Sequence, residues 1–174
     1  LKRPECYSHD TKDIRVIESD LSWVILTGDF AYKIKKEIDL YYLDSSTLER
    51  RKQLCEDEVR LNRRTFPELY LGTVCIVQTE VGLIINGPGK IIEYAIQMHQ
   101  FDPQKTLDKQ HDADQVSLVK IEAMANTLVK FHEQAPIAGV ETAFGEPNSL
   151  YAPVQLNFDQ VRPHSVSYTH LTLP

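Results

Sequence analysis

Two lysines and one glutamate carry the chemistry most readily read from this chain. Residues 30 to 35 run Phe-Ala-Tyr-Lys-Ile-Lys, so Lys33 and Lys35 fall at alternate positions. If the run is a strand, both ammonium groups and Ala31 share one face while Phe30, Tyr32 and Ile34 share the other, because strand side chains alternate. A small residue beside two ammonium groups is a shape that could admit a flat ring next to its phosphates. Glu58 lies in an apolar helical stripe, and a carboxylate withdrawn from water needs a cation close by. Lys33 and Glu58 are therefore expected to pair. Lys35 shares that face with Lys33, and a helix arginine is the competing partner of Glu58.

The elements that must position these groups are legible in outline. Ile14–Ile17 and Trp23–Leu26 are short β-branched runs around the polar turn Glu18 to Ser22. Thr27-Gly28-Asp29 then supplies turn chemistry, with glycine free to take positive φ. Val74–Val77 and Ile91–Met98 add two strands, joined by a polar link holding Thr79-Glu80-Val81-Gly82 and Asn86-Gly87-Pro88-Gly89. Ser46-Thr47-Leu48-Glu49 has the form of a capping box opening a helix to about Arg64. On it, Leu54, Glu58 and Leu61 recur at i, i+4 and i+7, with Cys55 and Val59 widening the stripe. A second long helix is predicted from Leu118 to an end near His132 to Ala135, before Pro136. From Pro136 onward the prolines at 147, 153 and 163 predict loop rather than long regular elements.

Composition narrows the function classes. A chain of 174 residues with 42% apolar content supports one ordinary core. A net charge of -6 and a pI near 5.5 argue against a nucleic-acid surface. The basic residues Arg50, Arg51, Lys52, Arg60, Arg63 and Arg64 are interleaved with Glu49, Glu56 and Asp57, which reads as a solvated helix face. Cys6, Cys55 and Cys75 are odd in number and lack metal-ligand spacing, so free thiols in the cytoplasm are expected. No apolar run approaches the roughly 18 residues of a membrane span.

The stretches Trp23 to Lys36, Ser46 to Arg51 and Glu58 to Arg64, followed by Glu93-Tyr94-Ala95-Ile96-Gln97-Met98-His99-Gln100-Phe101, resemble the N-terminal half of the bacterial aminoglycoside-phosphotransferase-like family. Leu128-Val129-Lys130-Phe131-His132 is similar to the close of that family's first large-lobe helix. The resemblance implies an α+β protein-kinase-like small lobe, a sheet of about five antiparallel strands plus one helix, over residues 1–98. A hinge and the first helices of an incomplete large lobe would follow over 99–165. It implies ATP as the phosphoryl donor, Mg2+, and a small-molecule hydroxyl acceptor. Lys33 would bind phosphate, with Lys35 its rival for that role, Glu58 would hold Lys33, Ala31 would lie below the adenine, and backbone groups around Gln97 to Gln100, including Met98 and Gln100, would meet the adenine edge. The turn from Ser19 to Ser22 would lie over the phosphates, although no Gly-x-Gly-x-x-Gly occurs there.

No catalytic residue is assigned. The chain has no His-Arg-Asp or His-Gly-Asp followed by Asn and no Asp-Phe-Gly, and Asp159 and His164 stand outside any such frame. Residues 166–174 resemble the translation of a transposase sequencing adapter, so the native reading frame is expected to be cut off near Ser165. The expectation is thus the ATP-binding part of a phosphotransferase, inactive as it stands. The rest of a large lobe and, as in some relatives, a P-loop kinase domain would be its partners. A non-catalytic nucleotide-binding module and a plain α+β interaction domain with a structural Lys33–Glu58 bridge are the alternatives.

Overall fold

A computed structural model describes residues 1–40 and 42–162. The third strand explains the sheet built around it. Thr27-Gly28-Asp29 closes a hairpin in which Gly28 has φ +102° and the Thr27 N–H and hydroxyl both donate to Phe30 O at 2.9 Å. That turn returns β2 (Ser22–Leu26) into β3 (Phe30–Lys35), with β1 (Arg15–Glu18) on the outer side of β2. A short hairpin of β4 (Asp39–Leu40) and β5 (Leu43–Asp44) leads to helix α1 (Leu48–Asn62). Strands β6 (Tyr70–Thr79), β7 (Gly82–Ile85) and β8 (Lys90–His99) complete an antiparallel sheet of order β1-β2-β3-β8-β6-β7.

The sheet has six strands where the sequence reading expected about five. The extra one is β7, which lies inside the polar link between the fourth and fifth expected strands. Gly82-Leu83-Ile84-Ile85 is an apolar, β-branched run that pairs with Ile76 to Thr79. The turn residues flanking it on both sides had masked it.

Alternation along β3 divides the core as expected. Tyr32 and Ile34 pack with Ile25, Val74, Ile76, Ile85 and Ala95 on one face, against Cys6 and Tyr7 of the N-terminal segment. Ala31, Ile96 and Met98 pack on the other face against Cys55 and Val59 of α1. The N-terminal segment is anchored by the Tyr7 hydroxyl, which donates to Leu1 O at 2.6 Å, and by a ring contact between Tyr7 and Tyr32.

Beyond the sheet, a single 3-10 turn (Pro103–Lys105) precedes α2 (Leu107–Asp112) and α3 (Leu118–Gln134). The chain divides into two compact units, Leu1–Phe131 and His132–Pro174. The second contains α4 (Pro147–Val161), which corrects the expectation of loop after Pro136. Pro147 occupies the first turn, where a missing N–H costs nothing. Pro153 lies inside the helix, removing the donor for one carbonyl without ending it. His164 and the adapter-like stretch 166–174 lie outside the described residues.

Candidate functional site

Register places the lysines. Ala31 stands opposite Leu26 on β2 and Met98 on β8, Lys33 opposite Val24 and Ile96, and Lys35 opposite Ser22. One sheet face therefore carries a column that passes from apolar to cationic along β3. The same period of two that nominated Ala31 and Lys33 nominates Val24 and Leu26, which the sequence reading did not single out.

Helix α1 brings Glu58 to that column. Its N-cap is Thr47, whose hydroxyl accepts from Arg50 N, one residue later than the capping box predicts. Ser46 instead donates its hydroxyl to Asp44 Oδ1 at 2.7 Å. The helix buries Arg51, Cys55 and Val59, spaced i, i+4, i+8, against β8 and β6. Leu61, expected on the buried stripe, is 47% exposed, because the true stripe lies one position away from it. Arg51 corrects the picture of a wholly solvated basic face. Its Nε donates to both Glu93 oxygens at 3.0 and 2.8 Å and its Nη1 to Ser45 O at 3.0 Å, bolting the start of α1 to β8. The i−4 spacing of Arg51 from Cys55 was the available signal.

Glu58 meets both lysines. Lys33 Nζ donates to Oε1 at 2.8 Å and Lys35 Nζ to Oε2 at 2.7 Å. The expected Lys33–Glu58 pair is present, the rival Lys35 shares the same carboxylate, and the competing helix-arginine pairing is absent from the described ion pairs of Glu58. Burial pushes the Glu58 carboxyl up, but hydrogen bonds and charge from Lys33 and Lys35 outweigh it, and the group is held below its ordinary 4.5.

Two clefts adjoin at this cluster. The apolar one, about 310 Å3, is lined by Val24, Leu26, Ala31, Tyr70, Met98 and Gln100 together with Lys33 and Glu58. The polar one, about 490 Å3, is lined by Ser19, Asp20, Ser22, Lys35 and Ser45, again with Lys33 and Glu58. All eight residues nominated from sequence line one cleft or both. The structure adds Ser45, buried with its hydroxyl donating to Lys36 O at 2.7 Å, for which no sequence signal existed.

The surrounding backbone is committed to bonds within the fold. The His99 N–H donates to Leu69 O and the Gln100 N–H to Asp29 O, while the Gln100 side chain accepts from Gly28 N. Those two amides are therefore spent within the fold. At the turn, Ser19 Oγ donates to Ser22 O at 3.0 Å and accepts from Ser22 N at 3.1 Å. The turn is closed by its own serines. Among the described residues, no group of three His, Cys, Asp or Glu side chains could hold a metal ion.

The chain is similar to mycobacterial proteins described as uncharacterized. It is 26% identical over 163 residues to the uncharacterized protein Mb2027c of Mycobacterium bovis and to the uncharacterized protein Rv2004c of Mycobacterium tuberculosis. The alignments cover 92% of this chain and 31% of each relative, so the chain spans about a third of the length of the curated relatives it matches. No protein-family model matches the chain. No solved structure matches it either.

Proposed function

We propose that this chain is the nucleotide-binding part of an ATP-dependent phosphotransferase with a protein-kinase-like small lobe. The observation that carries the reading is the Lys33–Glu58–Lys35 cluster at the junction of an apolar and a polar cleft. Adenine needs a flat apolar slot and its phosphates need cations, and the two requirements are met side by side. Ala31 leaves the floor of the apolar cleft open, and Val24, Leu26 and Met98 offer aliphatic faces to a ring. Glu58 fixes the Lys33 ammonium before any ligand arrives, so little side-chain entropy is lost on binding. ATP would supply the γ-phosphoryl group. The residues here bind and orient, which in phosphoryl transfer is most of the catalytic contribution.

The hydroxyl acceptor, Mg2+ and the base that would deprotonate the acceptor belong to the same proposal. The base, the Mg2+ ligands and the residues that seat the small-molecule acceptor would be contributed by the rest of a longer protein, in keeping with relatives three times as long. Three free cysteines suit a cytoplasmic setting. Among the described residues, no helix is long and apolar enough to cross a membrane.

Calorimetric titration of the chain with ATP tests the reading directly. Saturable binding that is lost in Lys33→Met supports it. Binding to neither ATP nor adenosine, at concentrations where the chain is folded, refutes it. In the longer protein, Lys33→Met should abolish ATP turnover, and unchanged turnover would remove Lys33 from its role.

A further inference from the structure

We infer that Lys35 is a second phosphate-holding ammonium and that the polar cleft receives the distal phosphates of a nucleoside triphosphate. The inference deepens the nucleotide reading of this site and rests on it. Lys33 lines both clefts, whereas Lys35 lines the polar one alone. A ring seated beside Ala31 would send its phosphates past Lys33 and on toward Lys35, the order in which the three residues follow one another along one face of β3. Distance along the site thus maps onto phosphate number.

The ion pairing leaves Lys35 able to do this. Glu58 gives one oxygen to each lysine, so the trio carries one surplus positive charge. An ammonium has three donors, and each of these spends one on Glu58. Lys35 is only 17% exposed, so an anion reaching it would meet a poorly screened charge. The Ser19 hydroxyl cannot substitute, since it both donates and accepts within its own turn. Asp20 also lines the cleft and balances the surplus charge. The cleft therefore selects through directed lysine donors rather than through a general positive field. The turn Ser19 to Ser22 that lines it contains no glycine.

The test is titration of the chain with adenosine, AMP, ADP, ATP and inorganic tripolyphosphate, using the wild type, Lys35→Gln and Lys35→Arg. Wild type should bind ATP more tightly than ADP, and ADP more tightly than AMP. Loss of one charge-assisted contact should weaken ATP about ten- to hundredfold in Lys35→Gln while leaving AMP within about twofold, and Lys35→Arg should recover most of the ATP affinity. Lys35→Gln leaves Glu58 paired with Lys33, and an unchanged denaturation midpoint for AMP-bound protein checks that the fold is intact. If Lys35→Gln weakens ATP and AMP equally, or neither, the inference is overturned while the nucleotide reading stands. If adenosine and all the nucleotides fail to bind the wild type but tripolyphosphate binds through Lys35, the anion subsite stands and the nucleotide reading falls. If nothing binds, both fall.

Discussion

Replacing Glu58 by glutamine tests the centre of the site with almost no change in shape. The carboxylate accepts from Lys33 and Lys35 at 2.8 and 2.7 Å and is 18% exposed, against 31% and 17% for the lysines. The amide would leave two ammonium groups facing one neutral oxygen, with like charges held together. Removing one member of a fully buried pair costs about 3–5 kcal/mol, whereas exposed pairs contribute about 0.2–1 kcal/mol. Partial solvent access places Glu58→Gln between these, at about 2 kcal/mol. For a chain of this length that corresponds to a fall in Tm of about 4–8 °C. Urea denaturation with Glu56→Gln as control is the assay, because Glu56 only meets Lys52 at 3.7 Å on a half-exposed helix surface. The pH dependence supplies a second readout. The native Glu58 pKa lies below the ordinary 4.5, so its contribution is complete above that value and is lost as pH falls through the lowered native one. Glu58→Gln should lack that acid slope. If Glu58→Gln and Glu56→Gln prove equally mild, with the same slope, the cluster is a solvated surface contact and the reasoning fails.

Arg51→Leu should cost about 2–3 kcal/mol because it leaves the largely covered Glu93 without its cation, and the Arg51→Leu/Glu93→Leu double variant should recover much of that; additive losses in a double-mutant cycle would contradict the clamp. Ala31→Leu should fill the apolar cleft and abolish adenosine binding while leaving tripolyphosphate binding intact; unchanged adenosine affinity would take the ring out of that cleft. Burial pushes the Cys55 thiol up from 9.0 to about 11, so stability should decline between those pH values by on the order of 2 kcal/mol, and Cys55→Ala should flatten the decline. In native protein near neutral pH, a thiol reagent should modify Cys75 far faster than the buried Cys6 and Cys55, and mass mapping showing equal rates would contradict the packing.

Local order was open to sequence reasoning because it depends on neighbours in the chain. Alternation along Phe30 to Lys35 separates Tyr32 and Ile34 from Ala31, Lys33 and Lys35, and the two core clusters keep that division. Gly28 marks its own turn, since positive φ is costly for other residues. The Leu118 stripe gives the length of α3. The rest depends on contacts between residues far apart. Leu83 to Ile85 become a strand because Ile76 and Val77 offer a paired edge. Arg51 becomes a core residue because Glu93, 42 positions later, comes within 2.8 Å. The N-terminal Cys6 and Tyr7 are core only because the sheet leaves one face to cover. The sequence by itself determined that Glu58 needs a cation, since burial of a charge is unfavourable wherever it occurs. Only the tertiary structure decided that both lysines answer it, because the choice depends on where α1 lies across β3 and β8, and no periodicity along a single segment encodes that crossing.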